Sequence, residues 1–149
     1  MIKSLIISLI LFANVFASEN VYFLPKQTNE AKAEILSLIN NAKSNIDIAM
    51  YNFKYRKFAK ALGNAAKRGV EVKLYYYKKK VTLDKKIKAI KVKTKLHTKI
   101  AIFDKKKVLF GSLNWTKDSF KNNYEVMYIT DKKDIVKEFN EFFKTIKRR

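Results

Sequence analysis

Short apolar segments with a two-residue period alternate along this chain with longer segments whose apolar residues recur every three or four positions. The first pattern is typical of buried strands, and the second is typical of helices that pack one face on a sheet. A chain of 149 residues is long enough for one compact domain but not for two. The alternation therefore predicts an α/β sandwich built around a single core.

The predicted strands cover residues 21–24, 45–53, 70–77, 97–104, 108–112 and 124–130. The predicted helices cover residues 31–42, capped by Thr28 or Asn29, then 55–68, ended by Gly69, and finally 135–146. The lysine-rich stretch 78–95 has weak periodicity. For it we expect a short helix over residues 83–90, followed by an edge strand.

The start of the chain has the pattern of an export signal. Lys3 provides a basic start, residues 5–16 form an apolar run, and Ala17 is a small residue of the kind that signal peptidase requires. We therefore expect a leader over residues 1–17, an exported mature domain over residues 18–149, and a periplasmic or secreted location. The apolar run is shorter than the ~20 residues that span a bilayer, so a retained anchor with membrane association is the less favoured alternative.

The chain is strongly basic, with 33 lysines and arginines against 13 aspartates and glutamates, a formal net charge of +20. Such a charge favours a polyanionic partner, either nucleic acid (DNA or RNA) or an anionic membrane surface. A lysine-rich surface that serves only solubility explains the charge equally well. The charge therefore supports a polyanionic partner without deciding the question.

Residues that can bind a phosphate lie at the start of one predicted strand and at the end of the next. His97 and Lys99 share one face of a strand, about 7 Å apart along it. Ser112 and Asn114 also share a face, and small polar side chains at that spacing can bind phosphate oxygens. Asp104 lies an odd number of residues after His97, so its side chain points to the opposite face of a regular strand. We therefore expect Asp104 to be structural and not catalytic.

These residues resemble the signature of the phospholipase D superfamily. The signature reads His-x-Lys, four residues, Asp, six residues, and Gly-Ser-x-Asn, and every fixed position is filled here by His97, Lys99, Asp104, Gly111, Ser112 and Asn114. Segments 46–53, 67–70 and 123–125 also resemble the small bacterial nuclease branch, which carries one motif per chain. One departure is segment 78–95, which is shorter, free of glycine and richer in lysine than the loop found in relatives.

The resemblance implies a phospholipase D-like mixed β-sheet flanked by helices on both faces, and it implies a mechanism. His97 would attack phosphorus to form a phosphohistidine. Lys99, Ser112 and Asn114 would bind the nonbridging oxygens and stabilise the charge that develops on them. Glu125 matches the family's acidic position, and we expect it to accept a hydrogen bond from the His97 ring.

The resemblance implies neither a cofactor nor a metal. The chain has no cysteine and one histidine, so it lacks the usual ligand sets of transition metals, although an all-carboxylate Mg²⁺ site stays open. Asp104 and Gly111 are expected to be the structural residues of the motif. Without cysteines, the domain must be stabilised by packing and not by disulfides.

The mechanism also predicts an assembly. It needs one imidazole as nucleophile and a second as general acid, and His97 is the only histidine. We therefore expect a homodimer with a shared active site, in which a two-fold axis brings each motif opposite its copy. The alternative is a monomer in which Glu125, Tyr124 or a lysine acts as the acid. It is less favoured because none has a pKa suited to that task.

The function predicted from these observations is an exported, metal-independent endonuclease that hydrolyses nucleic acid, with DNA favoured over RNA. One alternative is a phospholipase D-type hydrolase of phospholipids, against which the short chain and single motif argue. The other is a noncatalytic envelope factor for DNA binding or uptake, against which the intact motif argues.

Two aromatic features admit more than one interpretation. We expect Trp115 to pack in the core and not to stack on a base, because large aromatic side chains are mostly buried. The tyrosine run 75–77 is followed directly by lysines 78–80. It is either a strand end with solvated lysines or an edge where rings stack on bases and lysines follow phosphates.

Overall fold

The computed structural model describes residues 17–146, so residues 1–16 of the predicted leader and residues 147–149 lie outside the described residues. None of the helices in the described part of the chain is long and apolar enough to cross a membrane. The elements are, in chain order, β1 (Glu19–Leu24), α1 (Thr28–Asn41), β2 (Asn45–Phe53), α2 (Arg56–Lys67), β3 (Glu71–Lys80), β4 (Lys88–Lys91), β5 (Lys99–Phe103), β6 (Lys107–Gly111), α3 (Lys117–Lys121), β7 (Glu125–Thr130) and α4 (Lys133–Thr145).

The strands form one seven-stranded sheet in the order β1-β7-β6-β5-β2-β3-β4. Strands β2, β3 and β4 run parallel to their neighbours among themselves, and all other pairs are antiparallel. Strand β2 therefore joins the parallel part of the sheet to the antiparallel part. The central residues of β2, Ile48, Ala49 and Met50, are fully buried, as expected for a strand that is covered on both faces.

Two apolar clusters cover the two faces of the sheet. On one face, α1 and α2 pack through residues such as Ile35 and Leu62 against Ile48 of the sheet. On the other face, α4 packs through Val136 against Ala49 and its neighbours. The alternation along β2 separates the clusters, since successive side chains of a strand point to opposite faces. The predicted α/β fold, a mixed sheet flanked by helices on both faces, is confirmed.

The segment around residues 83–90 differs from the sequence-based expectation. It contains a turn held by the backbone hydrogen bond from Ile87 N to Asp84 O (3.0 Å), and then the edge strand β4, with no helix. Strand β4 pairs in parallel with β3, with Lys88 opposite Lys73. The hydrogen bonds of the sheet edge therefore outweigh the weak helical pattern of this segment.

Helix α1 also begins differently from the prediction. Thr28 is its first helical residue, and Gln27, at the N-cap position, makes no side-chain capping bond. The Thr28 hydroxyl instead donates to the carbonyl of Phe120, at 2.6 Å. This threonine therefore ties α1 to α3, a short helix that the sequence pattern did not predict.

Candidate active site

His97 and Lys99 lie together where the chain enters β5. His97 precedes the strand and is exposed, whereas Lys99 is its first residue and only 8% exposed. The Lys99 ammonium donates to the carbonyl oxygen of His97 at 2.7 Å and lies 3.3 Å from Nδ1 of the same ring. The buried lysine thus holds its charge beside the imidazole, where both groups can contact one phosphate.

The end of β2 makes hydrogen bonds to both parts of the motif, residues 97–99 and residues 111–114. The backbone N–H of Tyr51 donates to the carbonyl of Thr98 (3.1 Å), directly after His97. The next N–H, of Asn52, donates to the side-chain oxygen of Asn114 (3.2 Å). Because adjacent residues of one strand bind both parts, the distance between the two parts of the motif is fixed by backbone geometry.

Trp115 anchors the second half of the motif in the core. Its side chain is fully buried and packs against Phe53 and Phe58, which confirms the packing prediction. Its carbonyl accepts hydrogen bonds from the backbone N–H groups of Lys54 (2.8 Å) and Tyr55 (2.9 Å). These contacts fix the position of Asn114, the preceding residue, in the candidate site.

Asn114 and Ser112 differ in how free they are to bind an anion. The Asn114 side-chain oxygen is used by Asn52, and its amide nitrogen has no partner among residues 17–146, so that N–H₂ group can donate to a phosphate. The Ser112 hydroxyl accepts from the N–H of Val126 (3.1 Å) and donates to the Glu125 carboxylate. Ser112 must therefore exchange Glu125 for a phosphate oxygen if it is to bind one.

The position of Glu125 departs from the expected hydrogen bond with the His97 ring. Within the described protomer its carboxylate oxygens accept from the Ser112 hydroxyl and from the Asn123 amide (3.0 Å) instead. Glu125 begins β7, two strands away from β5, and Ser112 follows the strand between them. The Ser112 hydroxyl, which is nearer than the His97 ring, therefore donates to the Glu125 carboxylate. Glu125 still acts on the site electrostatically, because it favours the charged form of Lys99.

Asp104 lies at the opposite end of β5 from His97. Its carboxylate accepts hydrogen bonds from the backbone N–H groups of Lys43 (2.9 Å), Ser44 (2.7 Å) and Asn45 (3.1 Å). Burial alone would raise the pKa of Asp104, but these hydrogen bonds outweigh burial and lower it. Asp104 thus fixes the turn between α1 and β2, and it makes no contact with the candidate site.

Gly111 ends β6, directly before Ser112. A Cβ atom at this position would collide with the backbone carbonyl oxygen of Val126 on the neighbouring strand β7. The N–H of Ser112 donates to the same carbonyl (3.1 Å). Only glycine allows β6 and β7 to approach this closely where Ser112 enters the site.

The charge of Lys99 favours the neutral form of His97. The ammonium beside the ring lowers the pKa of His97 below its ordinary value near 6.5, with smaller contributions from desolvation and from Lys95. Burial in turn lowers the pKa of Lys99, and Glu125 opposes that shift. A neutral imidazole near pH 7 has a free lone pair, which is the state that a nucleophile requires.

Tyr51 and Asn52 were not predicted from the sequence as residues of the site, and Tyr77 was named only within the tyrosine run 75–77. The ring of Tyr51 lies edge-on to His97, with centroids 4.7 Å apart, and Tyr77 stacks on Tyr51 at 6.1 Å. The backbone role of Asn52 was also missed. The alternation along β2 and β3 indicates which faces these residues take, but the register of β2 against β3 shifts between Met50 and Asn52, so alternation alone does not place Tyr77 beside Tyr51. Across residues 17–146, no three histidine, cysteine or acidic side chains are grouped so as to hold a metal ion.

Comparison with known proteins identifies the family. Residues 35–147 match the family described as "Cardiolipin synthase, PLD-like domain". The structure resembles NucT from Helicobacter pylori (TM-score 0.78, 27% identity, covering 88% of this chain and 96% of that one). It also resembles the phospholipase D family member Nuc from Salmonella typhimurium (TM-score 0.75, 25% identity, covering 90% and 99%). The human mitochondrial cardiolipin hydrolase is 28% identical over 128 residues, which are 78% of this chain and 50% of that one.

The chain belongs to this phospholipase D-like family, because the family match covers most of its length. This confirms the resemblance that the motif indicated, and it supports an enzyme that hydrolyses phosphodiester bonds. The chain spans about half the length of the curated relatives it matches, whereas it covers nearly all of NucT and Nuc.

Proposed function

We propose that the protein is a metal-independent phosphodiesterase that hydrolyses nucleic acid, with DNA favoured, through a phosphohistidine formed at a site shared by two copies of the chain. The observation that carries the proposal is the placement of an exposed His97 beside a buried Lys99. The end of β2 holds Asn114, whose amide nitrogen is free among the described residues, next to this pair. This arrangement offers a nucleophile, a fixed positive charge and a neutral donor to one phosphate.

In the proposed first step, a ring nitrogen of His97 attacks phosphorus, and the bond from phosphorus to the leaving oxygen breaks. Lys99 and Asn114 bind the nonbridging oxygens and stabilise the negative charge that these oxygens carry in the transition state. The leaving oxygen takes a proton from a second imidazole, which must enter the step as the imidazolium and leaves it neutral. The negative charge of the bound phosphodiester favours that imidazolium form. That imidazole next takes a proton from water, the water oxygen attacks phosphorus, and the bond to His97 breaks.

The second imidazole must come from another chain, because His97 is the only histidine. Exposed apolar side chains near the site support a partner surface. Phe23 (62% exposed) and Val126 (37%) are cross-strand neighbours on β1 and β7, and Tyr124 (94%) precedes Glu125. An apolar patch beside charged catalytic groups is typical of an interface that excludes water from a shared site.

Nucleic acid is favoured over phospholipid on charge and on size. The net charge of +20 suits a polymer with a phosphate at every residue more than a single lipid headgroup. The chain also corresponds in length to NucT and Nuc and not to the longer cardiolipin hydrolases. Phospholipid hydrolysis is the second candidate, since the curated relatives are named for cardiolipin and a basic surface also binds anionic bilayers.

One substrate panel tests these proposals together. The purified protein is incubated in excess EDTA with plasmid DNA, single-stranded DNA, RNA and cardiolipin vesicles. We expect DNA to be cut at the same rate with and without EDTA, because the proposed steps use only imidazole, ammonium and amide groups. Cleavage that requires added Mg²⁺ would contradict the mechanism. Cleavage of the vesicles alone would replace the nuclease by the lipid enzyme, and binding of DNA without cleavage would leave a DNA-binding factor.

A further inference from the structure

The tyrosine run of β3 is distributed over both faces of the sheet. Tyr75 is buried, and its ring lies 5.8 Å from that of Phe143 on α4. Tyr76 points to the opposite face, where the Lys80 ammonium lies 5.7 Å from its ring. Tyr77 returns to the face of Tyr75 but lies nearer the end of the strand, and its ring stacks on Tyr51. Only Tyr77 of the three reaches the site.

Tyr51 and Tyr77 together form an aromatic wall beside the candidate nucleophile. Their ring planes differ by 16°, with centroids 6.1 Å apart, and Tyr51 meets the His97 ring at 4.7 Å. The ammonium groups of Lys99 and Lys78 each lie within 6 Å of the Tyr51 ring, at 5.7 and 5.8 Å. Flat π surfaces and cations thus alternate next to the position expected for the phosphate.

The wall is only partly covered by the rest of the protein. Both rings are intermediate in exposure, unlike the buried Tyr75, and neither phenol hydroxyl has a hydrogen-bond partner in the described residues. Support of the His97 ring requires Tyr51 alone. Tyr77 packs against the second apolar cluster but is only partly buried there, so part of its ring is open to a ligand. A second, parallel tyrosine that is joined to the first by stacking and bordered by exposed Lys78 has the features of a platform for single-stranded nucleic acid.

We propose that the Tyr51–Tyr77 wall stacks against the nucleobase next to the cleaved phosphodiester, while Lys78 binds the adjoining phosphate. This inference rests on the proposed function and names the part of the substrate that the site recognises beyond the phosphate. Every base has a π face, so the wall selects nucleotides over other phosphodiesters without selecting a sequence. The bases of an intact duplex are covered by their neighbours, so the wall favours single-stranded or locally unpaired substrate.

The test compares small esters that differ in one group. The substrates are thymidine 5′-(p-nitrophenyl phosphate), its 3′ isomer, and methyl p-nitrophenyl phosphate, which share the chromogenic group but carry either a nucleoside or only a methyl group. The quantity measured is the ratio of kcat/KM for each thymidine ester to that for the methyl ester. Because each ratio is taken on one preparation, any loss of folded protein cancels.

For at least one thymidine ester, we expect the Tyr77→Leu variant to lower this ratio about tenfold, within the range that one base–aromatic stack contributes. Tyr77→Phe should keep the wild-type ratio, since stacking needs the ring and not the hydroxyl. Tyr76→Leu is the matched control on the opposite face and should also keep it. An unchanged ratio in Tyr77→Leu for both isomers would overturn the wall while leaving the phosphodiesterase in place. A wild-type protein that cuts DNA but cleaves no thymidine ester would also overturn the wall, whereas one that cuts neither DNA nor any ester would remove the proposed function.

Discussion

Replacement of His97 by asparagine is expected to lower kcat for phosphodiester hydrolysis by about a thousandfold or more, because the side chain that forms the covalent intermediate is lost. Asparagine keeps a polar group of similar width but provides no nucleophilic ring nitrogen and no general acid. His97 is exposed before β5, and its ring packs on Tyr51 without entering the core. The variant should therefore fold.

The measurement is the rate of cleavage of single-stranded DNA in EDTA, with the far-ultraviolet circular dichroism and Tm of both proteins as the control for folding. A folded His97→Asn protein with more than about a tenth of wild-type activity is incompatible with a phosphohistidine. The assay is sensitive to contamination by other nucleases, so the variant and wild-type proteins are purified in parallel.

Replacement of Lys99 by methionine is expected to lower kcat by about a hundred- to a thousandfold, the usual cost of removing one charged or hydrogen-bonding group that stabilises the transition state. Methionine fills nearly the same volume in the buried position without the charge. The hydrogen bond to the His97 carbonyl is also lost, but KM should change less than kcat if Lys99 acts mainly on the developing charge.

The same variant tests the electrostatic account of the site. Lys99 is the largest cause of the lowered His97 pKa, so its removal should raise that pKa toward the ordinary value near 6.5. Since the chain has a single histidine, one imidazole resonance in an NMR titration reports the change. Lys93→Met removes one exposed lysine from the same segment and serves as the control. A His97 pKa that is equal in Lys99→Met and wild-type protein would show that the two groups do not interact.

Most of the fold follows from local patterns in the sequence. The apolar segments around Ile48 and Ile102 became central strands, and the helical period of residues 31–42 became α1, because such patterns record which faces are buried. The pattern failed at residues 83–90, where few apolar residues specify a face and pairing with β3 decided the structure. The leader over residues 1–17 stays a prediction.

The candidate site could be located from the sequence, but its contacts could not. Motif spacing placed His97, Lys99 and Asn114 on neighbouring strands, and the structure brings them to one end of the sheet. The partner of Glu125 depends on the order of β5, β6 and β7, which alternation alone does not specify. Tyr77 meets Tyr51 where the pairing of β2 and β3 is irregular, with one extra residue in β3, and no local signal marks that irregularity.

The central claim is that two chains share one catalytic site through their single histidines. It is tested most directly by mixing wild-type and His97→Asn chains in denaturant, refolding them together and following activity against the mutant fraction. The control is wild-type protein refolded alone. If both histidines are required, an equal mixture keeps about a quarter of the control activity, the share of wild-type pairs under random two-fold assembly. A linear decline to about half would mean that each chain works alone and would contradict the shared site.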